Sequence, residues 1–282
     1  MAGDRVGAFT VLRVPLRQLM TIDGLDAVSP GHRTTGLVEF DVTTAARRLA
    51  ALRAAGRRVT LVSFVVSCIG QALSEHPALN SIRTGRRVYR FEDVDVSLAL
   101  EIVTPQGSYP HQVTIRRAQD KDAEAIYGEI EAARQRHGSG GGASVEDRRF
   151  ERAVRWLSRT PRFVRIGVLR AVTRSPRRVK RWAGTTFVTS VTKFADSGGF
   201  VIPYAAGPVA VSSALGGLVR RHSCVDGGHE TREHLCVTVI VNHDLVDGAP
   251  AARFVQRLQQ LIETAHGLED PEQSHPGNRV ES

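Results

Sequence analysis

The feature that most restricts the fold of this chain is a β-branched run at residues 237–242 that ends directly before His243. Asp247 and Gly248 follow that histidine after three residues, and apolar residues with helical spacing continue through 251–262. This order predicts a buried strand, a tight turn and a helix. A buried strand that ends at a histidine places the imidazole at the rim of a sheet, partly shielded from water yet reachable.

His243 is therefore a candidate general base. Histidine is the side chain whose ordinary pKa lies nearest to neutral pH, which suits proton transfer. Asp247 and Gly248 predict a loop that folds back against the strand end, because aspartate favours turns and glycine tolerates a positive φ. A histidine and an aspartate in a turn are also common structural residues, so the pattern alone leaves both interpretations open.

The composition indicates a globular protein with a sizeable core: 282 residues, 41% of them apolar and 24% charged. The sequence lacks an apolar run of membrane-spanning length and a signal-peptide core, so we expect a cytoplasmic protein. Cys68, Cys224 and Cys236 lack metal-binding spacing and are predicted to be free thiols, with Cys68 in the core. No metal site is expected.

The net charge of +9 is concentrated in residues 146–182, which contain thirteen Lys and Arg and three acidic residues. The rest of the chain is therefore nearly neutral. A glycine-rich joint at 139–142 precedes two predicted amphipathic helices. Pro161 separates the two helices, and the second is predicted to end at Pro176. We predict an arginine-rich helical insert at 139–182.

Two interpretations of this insert stay open. Its arginines could be a solvated face over a docked apolar stripe, or they could bind an anionic partner. Such a partner could be a membrane surface, an acidic protein or the phosphates of a nucleotide-bearing cofactor. Nucleic acid is not favoured, because neither an aromatic platform nor a known binding motif accompanies the charge.

Periodicity and turn residues predict the other elements. Strands are predicted at 34–42, 81–83, 87–91, 94–103, 112–116 and 184–190, and helices at 43–55, 60–75 and 121–137. Residues 1–32 are predicted to be an irregular lead-in, residues 221–234 a hairpin tip, and residues 266–282 a disordered tail.

Several of these elements carry motifs of a known family. The His-x-x-x-Asp-Gly of His243, Asp247 and Gly248, before Ala-Pro-Ala-Ala-Arg-Phe, resembles the signature of the dihydrolipoamide acyltransferase catalytic domain of 2-oxo acid dehydrogenase complexes. Chloramphenicol acetyltransferase is a relative of that domain. Further similarity lies in the helix and His-Pro-Ala-Leu-Asn of residues 60–80, the Thr-Pro-Gln-Gly turn of 104–107, and a predicted strand at 208–216. The resemblance covers about residues 30–138 and 183–265.

The resemblance implies an α/β fold, a chloramphenicol acetyltransferase-like mixed-sheet sandwich that assembles as a homotrimer. The catalytic domain would span 33–265, interrupted by the insert. The implied activity is an acyltransferase that moves an acyl group between coenzyme A and a thiol acceptor such as a dihydrolipoyl group. The expected substrate is a coenzyme A thioester. Because the sequence shows no lipoyl-bearing or subunit-binding domain, a lipoyl group would be supplied in trans by another protein.

The resemblance also assigns roles to residues. His243 would be the base, the Ser190 hydroxyl of a neighbouring chain would stabilise the oxyanion, and Asp247 would organise the loop. Asn242 and Gly248 would support that loop. Further hydroxyls near Ser190 are those of Thr189 and Thr192.

Two departures from the family pattern flank these positions. The sequence has Val-Thr-Lys after Ser190, where the family usually has Asn or Ser followed by Leu-Gly. It has Asn-His-Asp around His243, where the family has Asp-His-Arg. The alternative to an enzyme is therefore a non-catalytic trimeric scaffold that binds a partner or an anionic surface through the basic insert.

Overall fold

The computed structural model describes residues 14–28, 31–104, 107–138, 152–153, 155–194, 198–204, 207–225 and 228–269. Its strands are β1 (Arg33–Asp41), β2 (Ser81–Thr84), β3 (Arg87–Arg90), β4 (Val96–Thr104), β5 (Gly107–Ile115), β6 (Thr186–Ser190), β7 (Val211–Val225) and β8 (Gly228–Asn242). Its helices are α1 (Leu16–Ala27), α2 (Thr43–Ala54), α3 (Leu61–Ser74), α4 (Ala123–Gly138), α5 (Arg162–Thr173), α6 (Pro176–Ala183) and α7 (Gly248–Glu263).

Six strands form one mixed sheet in the order β1-β8-β7-β6-β4-β5. The central strand β6 runs parallel to β4 and β7, whereas the outer pairs are antiparallel. Strands β2 and β3 form a separate hairpin, which a single bridge between Ile82 and Val209 attaches near the start of β7. The predicted mixed-sheet α/β fold is confirmed, as are the predicted strands and the helices outside the insert.

Helix α3 is the centre of the core. Its N-terminus is fixed by a capping box, in which the Thr60 hydroxyl accepts from the Ser63 N–H and the Ser63 hydroxyl accepts from the Thr60 N–H. Gly70 lets α3 approach the backbone of Ala118, since a Cβ there would lie 2.7 Å from the Ala118 carbonyl carbon. Helices α4 and α7 pack against α3, so α7 is held where the sequence predicted it, directly after the His243 turn.

The N-terminal segment is not the irregular lead-in that the sequence predicted. Residues Leu16–Ala27 form α1, which packs against α5 of the insert. The contact includes a buried ion pair, because the Arg165 Nε lies 2.5 Å from an Asp23 carboxylate oxygen and neither side chain is exposed. The Arg165 guanidinium also donates to the Thr160 carbonyl at 2.6 Å. A buried charge requires a partner, and this requirement joins two segments that lie far apart in sequence.

The insert differs from its prediction at Pro176. Helix α5 ends at Thr173, and Pro176 begins a further helix, α6, as its first residue. Proline is well suited to that position because it needs no N–H partner there. The predicted glycine-rich joint at 139–142 lies outside the described residues.

Two other boundaries were wrong. Strand β7 extends to Val225, and β8 begins at Gly228. His222, His229 and His234 therefore lie on strands and not in a hairpin tip. The packed structure also continues past the predicted start of the tail, since Leu268 is buried and its carbonyl accepts from Arg48 at 3.2 Å. The rest of the predicted tail, from residue 270, lies outside the described residues.

Cys68 and Cys236 are buried free thiols, as the sequence predicted. Burial raises the pKa of Cys68, which keeps it protonated and unreactive. The side chain of Cys224 lies outside the described residues. None of the helices in the described ranges combines the length and the apolar character needed to cross a membrane.

Candidate active site

His243 directly follows β8 and is fixed through its backbone. Its N–H donates to the His32 carbonyl at 2.7 Å, and the Asn242 N–H donates to the Ala210 carbonyl at 2.8 Å. The turn closes on itself because the N–H groups of Leu245 and Val246 both donate to the Asn242 carbonyl. The strand end is thus tied to two neighbouring segments, and the position of the imidazole is set by the sheet.

The imidazole of His243 is half-exposed, with 51% of its side chain accessible. Its Nδ1 lies 3.9 Å from an Asp247 oxygen, and 87% of the Asp247 side chain is accessible. That distance is a loose charge contact and not a hydrogen bond. Asp247 also caps α7 without a side-chain hydrogen bond. Asp247 is therefore only a weak charge neighbour of the histidine, and the half-exposed imidazole is open to a ligand.

Gly248 is the first residue of α7 and does not adopt a positive φ. The turn therefore does not use the tolerance of glycine for a positive φ at this position. The chain enters the helix immediately after Asp247, and a helical residue requires a negative φ. A Cβ added at Gly248 would meet no atom within 4 Å. The positive φ instead occurs at Gly31, which lies against Asn242: a Cβ there would lie 3.3 Å from the Asn242 Oδ1.

Asn242 supports the turn from inside. It is buried, and its Oδ1 accepts from the Asp244 N–H at 3.1 Å. The Asp244 carboxylate in turn lies 2.7 Å from the His32 Nδ1 and 2.8 Å from the Arg83 Nη1. The hydrogen bond with His32, followed by the charge of Arg83, lowers the pKa of Asp244. This ion-pair group holds the turn against β1 and β2.

Sequence analysis did not single out His32 or Arg83. His32 precedes β1, whose first residue Arg33 stands opposite Asn242 in the sheet. The only signal that could have located it is the pairing of β1 with β8, which no local pattern reveals.

Ser190 is the last residue of β6 and is half-buried. Its Oγ lies 3.1 Å from the Thr192 Oγ1 and accepts from the Thr192 N–H at 3.4 Å. Thr189 projects from the opposite face of the sheet, because successive side chains of a strand alternate. Thr192 therefore neighbours Ser190, whereas Thr189 does not share its side of the sheet.

One chain does not bring His243 and Ser190 together. Ser190 stands opposite Leu215 on β7, and Leu215 stands opposite Val237 on β8. His243 follows Val237 by six residues, just past the end of β8, which corresponds to roughly 20 Å at the usual rise per strand residue. The two candidate residues thus lie far apart along the sheet, and a site that contains both requires a second chain.

No group of three or more His, Cys, Asp or Glu side chains in the described part of the chain is arranged to hold a metal ion. The turn therefore offers an imidazole, an exposed carboxylate and backbone groups as its chemistry. These are the groups of a proton-transfer site.

Comparison with known proteins agrees with this geometry. Residues 30–146 match the model of the 2-oxoacid dehydrogenases acyltransferase (catalytic domain) family, which is less than half of the chain. No curated protein sequence matches.

Solved structures match over nearly the whole chain. A probable dihydrolipoamide acetyltransferase from Listeria monocytogenes is 19% identical with a TM-score of 0.65, covering 94% of this chain and 97% of that one. The dihydrolipoamide acetyltransferase of Azotobacter vinelandii is 18% identical with a TM-score of 0.66, covering 92% and 94%. A truncated catalytic core of the 2-oxoacid dehydrogenase multienzyme complex from Thermoplasma acidophilum is 18% identical with a TM-score of 0.63, covering 92% and 100%.

The fold is that of dihydrolipoamide acetyltransferase cores. More particularly, the family that the chain matches is that of the 2-oxoacid dehydrogenase acyltransferases. The resemblance inferred from the sequence motifs is thereby confirmed.

Proposed function

We propose that this protein transfers an acyl group between a coenzyme A thioester and a thiol acceptor, such as a dihydrolipoyl group carried by another protein. The observation that carries the proposal is the placement of His243. A half-exposed imidazole stands at the end of a buried strand, fixed by its backbone and free of a strong side-chain partner. A general base needs this combination of rigidity and access. The family match and the fold support the same reaction.

In the proposed reaction His243 removes the proton from the attacking thiol. The resulting sulfur nucleophile adds to the thioester carbonyl carbon, and the carbonyl oxygen becomes an oxyanion. Collapse of the tetrahedral intermediate breaks the original carbon–sulfur bond, and the departing sulfur takes the proton back from His243. Ser190 of a neighbouring chain donates a hydrogen bond to the oxyanion, with Thr192 orienting its hydroxyl at 3.1 Å.

The same proposal includes a homotrimer with active sites between chains. It rests on the separation of roughly 20 Å that the sheet register sets between His243 and Ser190 in one chain. Closed rotational symmetry repeats one contact around the assembly, so each interface would join one histidine to one serine.

Asp247 is proposed to organise the loop and not to share the proton. In the Azotobacter vinelandii enzyme, the catalytic roles of a serine, a histidine and an asparagine four residues after the histidine have been investigated. Asp247 occupies that fourth position after His243 here. Its exposure and its distance of 3.9 Å from the Nδ1 support a weak influence on the histidine.

A cytoplasmic location is part of the proposal. The buried free thiols of Cys68 and Cys236 support a reducing compartment.

The test is acyl transfer from a panel of acyl-coenzyme A thioesters to free dihydrolipoamide, measured as release of the coenzyme A thiol. We expect turnover with at least one donor and its loss in His243→Ala. His266→Ala is the matched control, because His266 is exposed just beyond the far end of α7, about 24 Å of helix away. Unchanged turnover in His243→Ala would refute the assigned base.

A non-catalytic scaffold is the competing outcome. Absence of turnover with every donor, in a protein that sedimentation shows to be a folded trimer, would favour it. The Val-Thr-Lys after Ser190 is the sequence feature on which that outcome would rest.

A further inference from the structure

A cavity of about 540 Å³ adjoins the turn that carries His243. It lies between the end of α1, the turn joining β2 and β3, helix α5 and the residues on either side of His243. Asn242 and Asp244 belong to its wall, and so do Arg83, Arg170 and Arg174. We call this cavity the basic pocket. Its wall contains residues from two segments that are distant in sequence, the turn around His243 and the arginine-rich insert.

The acidic side chains in the wall of the basic pocket are already compensated. Asp244 is paired with Arg83 at 2.8 Å and with His32 at 2.7 Å. Asp26 is paired with Arg162 at 2.6 Å. These carboxylates are therefore not available to balance other charges in the pocket.

Arg170 and Arg174 remain uncompensated. Both are exposed, and neither forms an ion pair with any residue in the described part of the chain. They lie four residues apart on α5, so their side chains project from the same face of the helix. The pocket wall thus carries two positive charges that could bind an anionic ligand.

Helix α5 holds these arginines in place. The buried pair of Arg165 with Asp23 and the donation from Arg165 to the Thr160 carbonyl fix α5 against α1. A guanidinium on an anchored helix loses less freedom on binding than one on a loop. Its fork of N–H donors matches the oxygens of a phosphate group.

We propose that the basic pocket binds the phosphate groups of the coenzyme A thioester, with Arg170 and Arg174 as the ligand-binding side chains. This inference rests on the proposed function. Asn242 and Asp244 line the pocket and flank His243 in sequence, so the pocket adjoins the backbone of the turn that carries the candidate base, and the long pantetheine arm of the donor would have to extend from the pocket to the imidazole. The arginines contact a part of the donor that does not react, so they govern its affinity and not the chemical step.

The test compares two donors in the double variant Arg170→Ala/Arg174→Ala. With acetyl-coenzyme A we expect KM to rise about tenfold or more, the scale of losing charge-assisted hydrogen bonds to phosphate. With acetyl-pantetheine, which has no phosphate, we expect KM to change by less than about twofold. The matched control is Arg177→Ala/Arg178→Ala, two exposed arginines of α6 that do not line the pocket. An equal rise of KM in the control would overturn the site, because it would show a diffuse charge effect.

A binding measurement separates this inference from the proposed function. Titration calorimetry of coenzyme A into His243→Ala, with and without the arginine substitutions, needs no turnover. Binding that weakens about tenfold on removal of Arg170 and Arg174 supports the pocket whether or not the protein transfers acyl groups. Unchanged affinity overturns the pocket and leaves the proposed function intact.

The source of the phosphate is tested by competition. We expect 3′,5′-adenosine diphosphate to displace coenzyme A and inorganic phosphate to do so only at much higher concentration. If inorganic phosphate competes as well as the nucleotide, the pocket is a free-anion site and the coenzyme A assignment is wrong. If the wild-type protein binds no coenzyme A, the assignment is also wrong.

Discussion

The end of β8 and the end of β6 hold their candidate site residues very differently. At one end, His243 is fixed by a backbone hydrogen bond to His32, and its neighbour Asp244 is fixed by Arg83 and His32. At the other end, the Ser190 hydroxyl is hydrogen-bonded to Thr192, which begins a short 3-10 turn. The candidate base is held by segments distant in sequence, whereas the described hydrogen bonds of the candidate hydroxyl donor are to a residue two positions along the chain.

This difference indicates how the proposed active site is assembled. Helices α1 and α5 cover the His243 end and create the basic pocket there. The Ser190 end would obtain its remaining surroundings from the neighbouring chain. Substitutions at the two ends should therefore affect different properties of the protein.

The largest effect should follow from breaking the buried ion pair that docks α1 on α5. Arg165→Met removes the nearer, buried partner of the Asp23 carboxylate and leaves only the exposed Arg162, whose Nε lies 3.4 Å from the other carboxylate oxygen. Breaking a buried pair in this way costs up to about 3–5 kcal/mol in the free energy of unfolding. Hydrogen exchange should show α1 and α5 losing protection, while the strands around Ser190 stay protected. Arg134→Met is the control, since its pair with Glu131 on α4 is largely exposed and worth less than about 1 kcal/mol. Equal losses in both variants would contradict the special role of the buried pair.

Ser190→Ala should have the next largest effect, on the rate. Removing an oxyanion donor raises the activation barrier by about 2.7–4 kcal/mol, so kcat should fall about 10²- to 10³-fold with stability nearly unchanged. The control is Thr189→Val, which removes a hydroxyl from the adjacent residue on the other face of the sheet. We expect a change in kcat of less than about threefold there. A large loss in Thr189→Val with none in Ser190→Ala would reverse the assignment.

Asp244→Asn should have a smaller effect that depends on pH. The hydrogen bond with His32 and the charge of Arg83 lower the pKa of Asp244 below its ordinary 3.8. The stabilisation by the carboxylate is therefore present above about pH 4 and is lost as the pH falls through the folded-state pKa. Because the pair is partly exposed, we expect a cost below about 1 kcal/mol at pH 6.

Thermal unfolding of the wild type and of Asp244→Asn at a series of pH values measures this effect. The two melting temperatures should differ at about pH 6 and converge as the pH falls through the lowered pKa of Asp244. A constant difference across that range would show that Asp244 acts by packing and not by charge.

The smallest effect should come from Gly248→Ala. Because Gly248 is helical and has open space at its Cβ position, alanine should stabilise the protein by a few tenths of a kcal/mol. Gly56→Ala is the matched contrast, since Gly56 has φ of 81° and a Cβ there should destabilise by about 1 kcal/mol. Denaturant titrations would distinguish the opposite signs. Destabilisation by Gly248→Ala would indicate that the turn needs a glycine after all.

The sequence predicts those elements whose cause is local. The β-branched run before His243 and the capping residues Thr60 and Ser63 specify their strand and helix without reference to the rest of the chain. Helix α1 was missed because the residues that hold it are distant in sequence: the buried Asp23 pairs with Arg165 and Arg162 of α5. The strand ends of β7 and β8 were missed because their glycine, histidine and charged residues resemble a loop while the ladder between the strands continues.

The site could be predicted only as a set of residue types. The motif around His243 identified the base candidate, but the strand order and register that separate Ser190 from it are properties of the whole fold. The basic pocket likewise depends on α5 docking beside the β2–β3 turn, which no spacing in the sequence encodes.

The central claim is that each active site combines His243 of one chain with Ser190 of the next. It is tested most directly by mixing the inactive variants His243→Ala and Ser190→Ala, unfolding them together and refolding them as mixed trimers. One quarter of the interfaces should then carry both intact residues, so we expect thiol release to recover to about a quarter of the wild-type rate. Activity no greater than the sum of the separately refolded variants, in verified mixed trimers, would contradict the account.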